Sequence, residues 1–173
     1  MTGIAQFLSS VSQFGEEASA EPDCLGALRW AKLQSLEPEW IEMMLSHVFI
    51  GVTDFPRAFA FYSVIMDELG FPLKFAEPEK TWAGWRPANA ARPLLLIGRP
   101  YEGECASAGN GQMVALLAPT RAAVDKCYGI AIANGAHCEG EPGLRPQYHP
   151  DYYGAYFRDP DGNKLCVCCH DLE

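Results

Sequence analysis

From residue 45 onward, the hydrophobic pattern alternates between strand-like and helix-like segments. The run His47 to Val52 is rich in β-favouring residues, and Thr53-Asp54 after it is a dipeptide suited to capping a helix. Apolar residues at helical spacing follow over 55–69, and Gly70 is the residue type that accepts the left-handed conformation beyond a helix end. The pattern predicts a strand, a helix and a second strand over Phe71 to Phe75.

The same order of elements recurs later in the chain. Met113 to Ala118 is strand-like, Arg121 to Asn134 is an alanine-rich helical segment, and Gly135 ends it. His47 precedes Gly70 by 23 positions, and Met113 precedes Gly135 by 22. The chain therefore contains an internal repeat.

Each repeat continues into further strand candidates, which are Thr81–Arg86 and Pro93–Ile97 in the first and Gly154–Arg158 and Lys164–Cys169 in the second. One such unit exposes an apolar face, so two units side by side bury it between them. We predict an α+β fold of two βαβββ modules that form a curved mixed-sheet cleft. Module one spans about 44–104 and module two about 109–170, within a domain of residues 44–173.

Residues 1–43 have a different composition, with several serines, an acidic pair and two prolines. Apolar residues at helical spacing over Cys24 to Leu36 predict a short helix. We interpret this N-terminal extension as a partly helical packing or dimer-supporting arm. Met43-Met44 directly before the first strand leaves open that the native gene starts there.

Composition and charge narrow the function classes. The chain is 49% apolar and 12% aromatic, which suits a folded domain, and its net charge of −9 disfavours nucleic acid as a partner. No apolar run reaches the length of a bilayer span, and the start lacks the basic region of a signal peptide. Seven cysteines, an odd number, favour reduced thiols over a disulfide framework. We expect a cytoplasmic protein without a membrane partner.

The clearest local motif is Asp159-Pro160-Asp161-Gly162-Asn163, between two strand candidates. Pro160 presets the turn and Gly162 supplies a positive φ, so a tight hairpin is expected. This motif, combined with the opening LSHVFIGVTDFPRAFAFY (45–62), resembles the vicinal oxygen chelate superfamily, the glyoxalase, bleomycin resistance and dioxygenase group. More narrowly, Gly143 to Leu165 is similar to a glyoxalase-like bacterial subgroup. The resemblance covers about Met44 to His170.

The resemblance implies positions for a divalent metal site. Such proteins commonly use a His on the first strand of each module and a Glu on the last strand, and glyoxalase adds an acidic ligand on the fourth strand. These positions fall on His47, Met113, Cys166 and, for the fourth strand, near Leu96. Only His47 matches, and a His-Met-Cys set suits hard or borderline cations poorly. A divalent cofactor is therefore disfavoured, although strand alternation still places the three residues on one sheet face.

A loop offers other candidate contacts for a small organic molecule. Arg145, Tyr148, His149 and Tyr153 lie within nine residues at the expected rim of the cleft. With His47, Met113 and Cys166 they form the predicted substrate-binding set. The alternatives are a rigid aromatic loop and, for His47, a general base, a residual ligand or a merely hydrogen-bonded side chain.

Three functions stay open at this point. The superfamily implies an enzyme of lyase, isomerase or dioxygenase type acting on a small organic molecule, with a degenerate metal site. The alternatives are a metal-free protein that binds or sequesters a small molecule and a structural or regulatory dimer. The sequence assigns no catalytic residue, and the resemblance alone implies a homodimer.

Overall fold

The computed structural model describes residues 44–171. Eight strands and two longer helices follow one another in this part of the chain: β1 His47–Gly51, α1 Phe55–Glu68, β2 Leu73–Glu77, β3 Trp82–Trp85, β4 Leu94–Gly98, β5 Val114–Leu117, α2 Arg121–Ala133, β6 His137–Leu144, β7 Tyr153–Arg158 and β8 Lys164–Cys169. A 3-10 helix over Pro78–Lys80 connects β2 to β3. The predicted extension and its helix over Cys24 to Leu36 lie outside the described residues.

The strands form two four-stranded sheets of identical topology, with the orders β1-β4-β3-β2 and β5-β8-β7-β6. In each sheet the first strand runs parallel to the last, as in the pairs His47–Leu94 and Val114–Leu165, and the other neighbours are antiparallel. The two βαβββ modules with mixed sheets are confirmed.

Both helices begin and end as the sequence predicts. The Asp54 carboxylate accepts a hydrogen bond from the Arg57 backbone N–H at 3.1 Å, and the Thr120 hydroxyl accepts one from Ala123 at 3.1 Å. Gly70 after α1 has a positive φ of 75°. The Phe71 N–H donates to the Met66 carbonyl at 2.8 Å, so residue 71 still belongs to the helix end, and β2 starts two residues later than expected.

A continuous apolar core lies between the helices and one face of each sheet. Phe61, Tyr62 and Ile65 from α1 are almost fully buried in it, as is Val124 from α2. The ring of Phe61 meets that of Phe157 on β7 edge-on, with centroids 6.5 Å apart. The modules therefore share one core, which is where most of the favourable burial energy arises.

The turn between β7 and β8 forms as predicted, with Gly162 at φ 90°. Its Asp159 is 1% exposed, and its Oδ1 accepts hydrogen bonds from the backbone N–H groups of Asp161 and Asn163. The Asn163 amide donates to the Gly51 carbonyl at 3.0 Å, at the end of β1. The hairpin turn of module two is therefore fastened to module one.

Strand β6 is the element that the sequence pattern located least well. It contains Gly140, Pro142 and Gly143, and its pairing with β7 shifts register at the glycines. These residues weaken the strand signal, although the module repeat required a strand there. Between residues 44 and 171, no helix has the length and apolar character needed to cross a membrane.

Candidate functional site

The strand faces follow the predicted alternation. Ile50 and Val52 point into the core beneath the helices, as do Leu165 and Val167 on β8. The face turned away from the helices, here called the open face, therefore carries His47 and Phe49 in module one, and Met113, Cys166 and Cys168 in module two. The sheet face assigned to His47, Met113 and Cys166 is the one that the structure shows.

The three residues are nevertheless in different surroundings. His47 is exposed, and its Nδ1 lies 3.3 Å from the Ser46 hydroxyl. Met113 is 45% exposed and lines the surface of a cavity. Cys166 is fully buried, with its sulfur 3.5 Å from the Tyr152 hydroxyl. Within residues 44–171, no hydrogen bond joins His47 to either sulfur, and the cavity that Met113 lines contains neither His47 nor Cys166 in its lining.

The donor chemistry at these positions does not fit a divalent metal. Hydrogen bonding with the Cys168 sulfur, then burial, raises the pKa of the Cys166 thiol well above its ordinary value. A protonated thiol is a poor ligand, and a thioether such as that of Met113 binds hard cations weakly. The described chain contains no group of three His, Cys, Asp or Glu side chains arranged to hold a metal ion. The ligand set expected from the family pattern is therefore not reproduced.

The loop between β6 and β7 brings part of the predicted set together. Arg145 donates to the carbonyls of Glu141 and Leu144, and its guanidinium lies 5.5 Å from the centre of the Tyr156 ring. The ring of Tyr148, which is largely exposed, meets that of Tyr152 edge-on at 5.1 Å. The open face of module two is thus covered by a cation and several phenol rings.

Tyr153 lies on the other side of the same strand. Its hydroxyl donates to Asp125 on α2 at 2.8 Å, and the Arg121 guanidinium lies 5.6 Å from its ring centre. The side chain packs against the core, whereas Tyr152, one residue earlier, lies over Cys166. The structure therefore separates Tyr153 from the other loop residues that we expected beside it.

His149 belongs to a second cluster that the sequence analysis did not assemble. Its Nε2 lies 2.7 Å from Nδ1 of His170, and Nε2 of His170 lies 3.8 Å from the Cys168 sulfur. The signal was present in the sequence, because positions 166, 168 and 170 share one face of an extended chain. The side of the strand on which His149 would lie could not be read from the loop sequence.

Glycines make room for this covering layer. A Cβ atom added at Gly154 on β7 would lie 2.9 Å from Cε1 of Tyr152 and 3.4 Å from Cβ of Cys168. One added at Gly140 on β6 would lie 3.2 Å from the Tyr156 ring. The absence of side chains at these two positions lets the rings of Tyr152 and Tyr156 approach the backbone of the sheet closely.

An apolar cavity, the one that Met113 lines, lies between the first residues of β1 and β4 and the strand β5. It has a volume of about 450 Å³, and fourteen of its fifteen lining residues are apolar, among them Val48, Trp85, Leu94 and Ala115. The fifteenth is Arg86, whose Nη1 donates to the carbonyls of the loop that follows it at 3.0 to 3.3 Å. A volume of this size suits a small organic ligand.

Comparison with known proteins identifies the family to which the described fold corresponds. A family model of the Glyoxalase/Bleomycin resistance protein/Dioxygenase superfamily matches residues 44–167. A glyoxalase/bleomycin resistance protein from Albidiferax ferrireducens T118 is 34% identical, with a TM-score of 0.67, and the match covers 73% of this chain and 99% of that one. No curated protein matches the chain.

Two further solved structures resemble the chain in fold. A glyoxalase/bleomycin resistance protein/dioxygenase family enzyme from Burkholderia phytofirmans PsJN is 23% identical, with a TM-score of 0.54 and coverage of 73% of this chain and 98% of that one. A lactoylglutathione lyase from Agrobacterium tumefaciens is also 23% identical, with a TM-score of 0.50 and coverage of 74% and 93%. At this identity the likeness concerns the fold and carries no activity across.

Proposed function

This chain belongs to the glyoxalase, bleomycin resistance protein and dioxygenase superfamily, and from that premise we propose that it binds a small, largely apolar organic molecule without a metal ion. The observation that carries the proposal is the cavity of about 450 Å³ with apolar walls and one cation, Arg86. An aromatic or alicyclic body would remove the apolar lining from water, and burial of apolar area is the main favourable term in such binding.

Arg86 gives the cavity a preferred polarity. Its Nη1 is held by three backbone carbonyls, so the guanidinium is fixed beside apolar walls formed by Trp85 and Pro87. A fixed cation favours a ligand whose acidic group can approach the Arg86 guanidinium. The proposed ligand class is therefore an apolar molecule that is neutral or carries one anionic group.

A metal-dependent lyase, isomerase or dioxygenase is the alternative that the family suggests. It would need ligands at the positions of His47, Met113 and Cys166, and those side chains provide an exposed imidazole, a thioether and a protonated thiol. Elemental analysis of untagged protein tests this alternative. A stoichiometric metal that is lost in His47→Ala would overturn the metal-free proposal.

Binding to the cavity is tested with the neutral fluorescent probe N-phenyl-1-naphthylamine. Ala115 lines the cavity, so Ala115→Phe places a ring inside it, whereas Ala133→Phe places the same ring on the exposed surface of α2. We expect saturable binding to the natural protein and to Ala133→Phe, and weak binding to Ala115→Phe. Equal binding by both variants would show that the cavity is not the site.

We also propose that the protein is a homodimer. Phe49 and Leu117 are 47% and 61% exposed, and they lie on β1 and β5, which are edge strands of the two described sheets. Exposed apolar side chains on an unpaired strand edge favour association. Light scattering after size exclusion should give twice the chain mass, and Leu117→Lys should lower it; a monomer at all concentrations contradicts the proposal.

A further inference from the structure

The cluster around Cys168 contains a chain of hydrogen bonds that ends on a buried sulfur. The Asp151 backbone N–H lies 3.2 Å from Nδ1 of His149, and Nε2 of His149 lies 2.7 Å from Nδ1 of His170. Nε2 of His170 lies 3.8 Å from the Cys168 sulfur. Cys168 itself is 2% exposed, whereas His170 is exposed at the surface. This chain of hydrogen bonds therefore connects solvent to a buried thiol.

The donors in this chain can be assigned one after another. A backbone N–H can only donate, so Nδ1 of His149 accepts and the proton of this neutral ring is on Nε2. Nε2 of His149 then donates to Nδ1 of His170, which leaves the proton of His170 on Nε2, facing the sulfur. The opposite direction would require His149 to accept at both nitrogens, which a neutral imidazole cannot do. The Cys168 sulfur therefore receives a hydrogen bond and is stabilised as a thiolate.

The side chains around the Cys168 sulfur also favour its thiolate form. The titratable groups that face it in the described structure are Cys166 on the same strand, Tyr152 and His170. Hydrogen bonding from the Cys166 thiol lowers the pKa of Cys168 most; Tyr152 and His170 lower it further, and burial opposes them. The pKa of Cys166 is raised in turn. The His170 imidazole lies beside Cys168 rather than Cys166, so Cys168 is the sulfur of this pair that the histidine chain stabilises as a thiolate.

From this geometry we propose that Cys168 is a redox-reactive thiolate that small, uncharged hydroperoxides oxidise to a sulfenic acid, with His170 as the proton donor. The sulfur attacks one peroxide oxygen, so an S–O bond forms while the O–O bond breaks. Sulfur loses two electrons and the peroxide gains them. The hydroxide or alkoxide that leaves takes the proton from Nε2 of His170 while Nδ1 of that ring takes the Nε2 proton of His149, so His170 stays neutral. Solvent then returns a proton to the His149 ring, which is partly exposed.

The burial of Cys168 determines which oxidants can reach its sulfur. The sulfur lies on the open face beneath the Tyr152 ring, and the ring also meets His170 edge-on at 5.1 Å. A charged or bulky oxidant would have to displace this ring, whereas hydrogen peroxide is small and uncharged. Among the other cysteines, burial raises the pKa of Cys127 to about 12, and Cys169 packs in the core, so neither is expected to react.

The test uses the full chain, hydrogen peroxide and dimedone, which traps sulfenic acids. Mass spectrometry of the intact protein and its peptides should show one adduct, located on Cys168. Cys168→Ser should lose the adduct, and Cys138→Ser, which removes an exposed thiol from β6, should keep it. An adduct confined to the exposed thiols Cys105 or Cys138 would overturn the proposal.

The role of His170 is tested separately, with an exposed histidine as the matched control. His170→Ala, which removes the donor, should move the pH at which the trapping rate reaches half its maximum to a higher value, because a thiolate that loses a hydrogen bond has a higher pKa. Below that pH, each unit of rise in the pKa of Cys168 lowers the thiolate fraction, and with it the rate, about tenfold. His137→Ala, at the exposed start of β6, should match the natural protein. Equal rates and equal pH profiles for the two variants would contradict the proposed chain.

Discussion

Tyr62 on α1 donates a hydrogen bond of 2.7 Å to Oδ2 of Asp159, across 97 positions of sequence and entirely within the core. The same oxygen accepts from the Asn163 amide at 2.9 Å, and Oδ1 accepts two backbone N–H groups of the turn. The buried carboxylate is therefore fully hydrogen-bonded, as burial of a charge requires. It joins the last hairpin of module two to the helix of module one.

Tyr62→Phe removes one donor from this carboxylate and changes little else in shape. We expect the free energy of unfolding to fall by about 1.5–3 kcal/mol, the usual range for a hydrogen bond to a charged group. Denaturant unfolding measures it. Tyr101→Phe is the control, because that side chain is fully exposed and should change stability by less than about 0.5 kcal/mol. A loss no larger than that of the control would mean that the bond contributes nothing to stability.

Alkaline pH should weaken the fold through the same tyrosine. Burial, then the charge and hydrogen bond of Asp159, raise the pKa of Tyr62 well above its ordinary value. Above about pH 10 the unfolded chain loses this proton while the folded chain keeps it, so stability is full below that pH and falls by about 1.4 kcal/mol per unit above it. Between about pH 10 and 11, Tyr62→Phe should show a correspondingly shallower decline. Parallel declines in both proteins would contradict the assignment.

The steric role of Gly154 predicts a specific substitution effect. The methyl group of Gly154→Ala would push Tyr152 away from the sheet, at a cost of about 1–3 kcal/mol in unfolding free energy. The sulfurs beneath that ring should then react faster with a bulky aromatic disulfide reagent. Unchanged labelling together with unchanged stability in Gly154→Ala would contradict the steric role of Gly154.

Gly129 on α2 provides the matched comparison. It is exposed, and nothing lies within 4 Å of a Cβ built there. Gly129→Ala should therefore raise stability by about 0.5–1 kcal/mol through helix propensity alone. A loss of stability in Gly129→Ala would contradict the exposed, open position of Gly129 on α2.

The fold was predictable because its signals are local. Alternation placed His47, Met113 and Cys166 on one sheet face, opposite the core side of their strands, and Asp54 marked the start of the first helix. The turn at Asp159 was also predicted, but its partner Tyr62 was not. A turn motif specifies its own backbone and contains no information about a hydroxyl on a distant helix.

The candidate site was less predictable for a related reason. The side on which a loop residue lies depends on where the next strand begins, and β7 begins at Tyr153. That start turns Tyr153 to the core and leaves Tyr152 on the open face, the reverse of the expected assignment of Tyr153 to the cleft. The apolar cavity arises from packing between elements distant in sequence, so no pattern within one element indicates it.

The charge of Arg86 predicts how the cavity distinguishes ligands. The anionic probe 8-anilinonaphthalene-1-sulfonate should lose affinity about fivefold in Arg86→Gln, since a partly exposed cation contributes on the order of 1 kcal/mol to an ion pair. The neutral N-phenyl-1-naphthylamine should bind Arg86→Gln and the natural protein equally. Arg99→Gln removes an exposed charge outside the cavity lining and should change neither affinity. Fluorescence titration of both probes against the three proteins measures all six dissociation constants. Equal losses for both probes in Arg86→Gln would mean that Arg86 supports the cavity wall through the carbonyls it binds rather than through its charge.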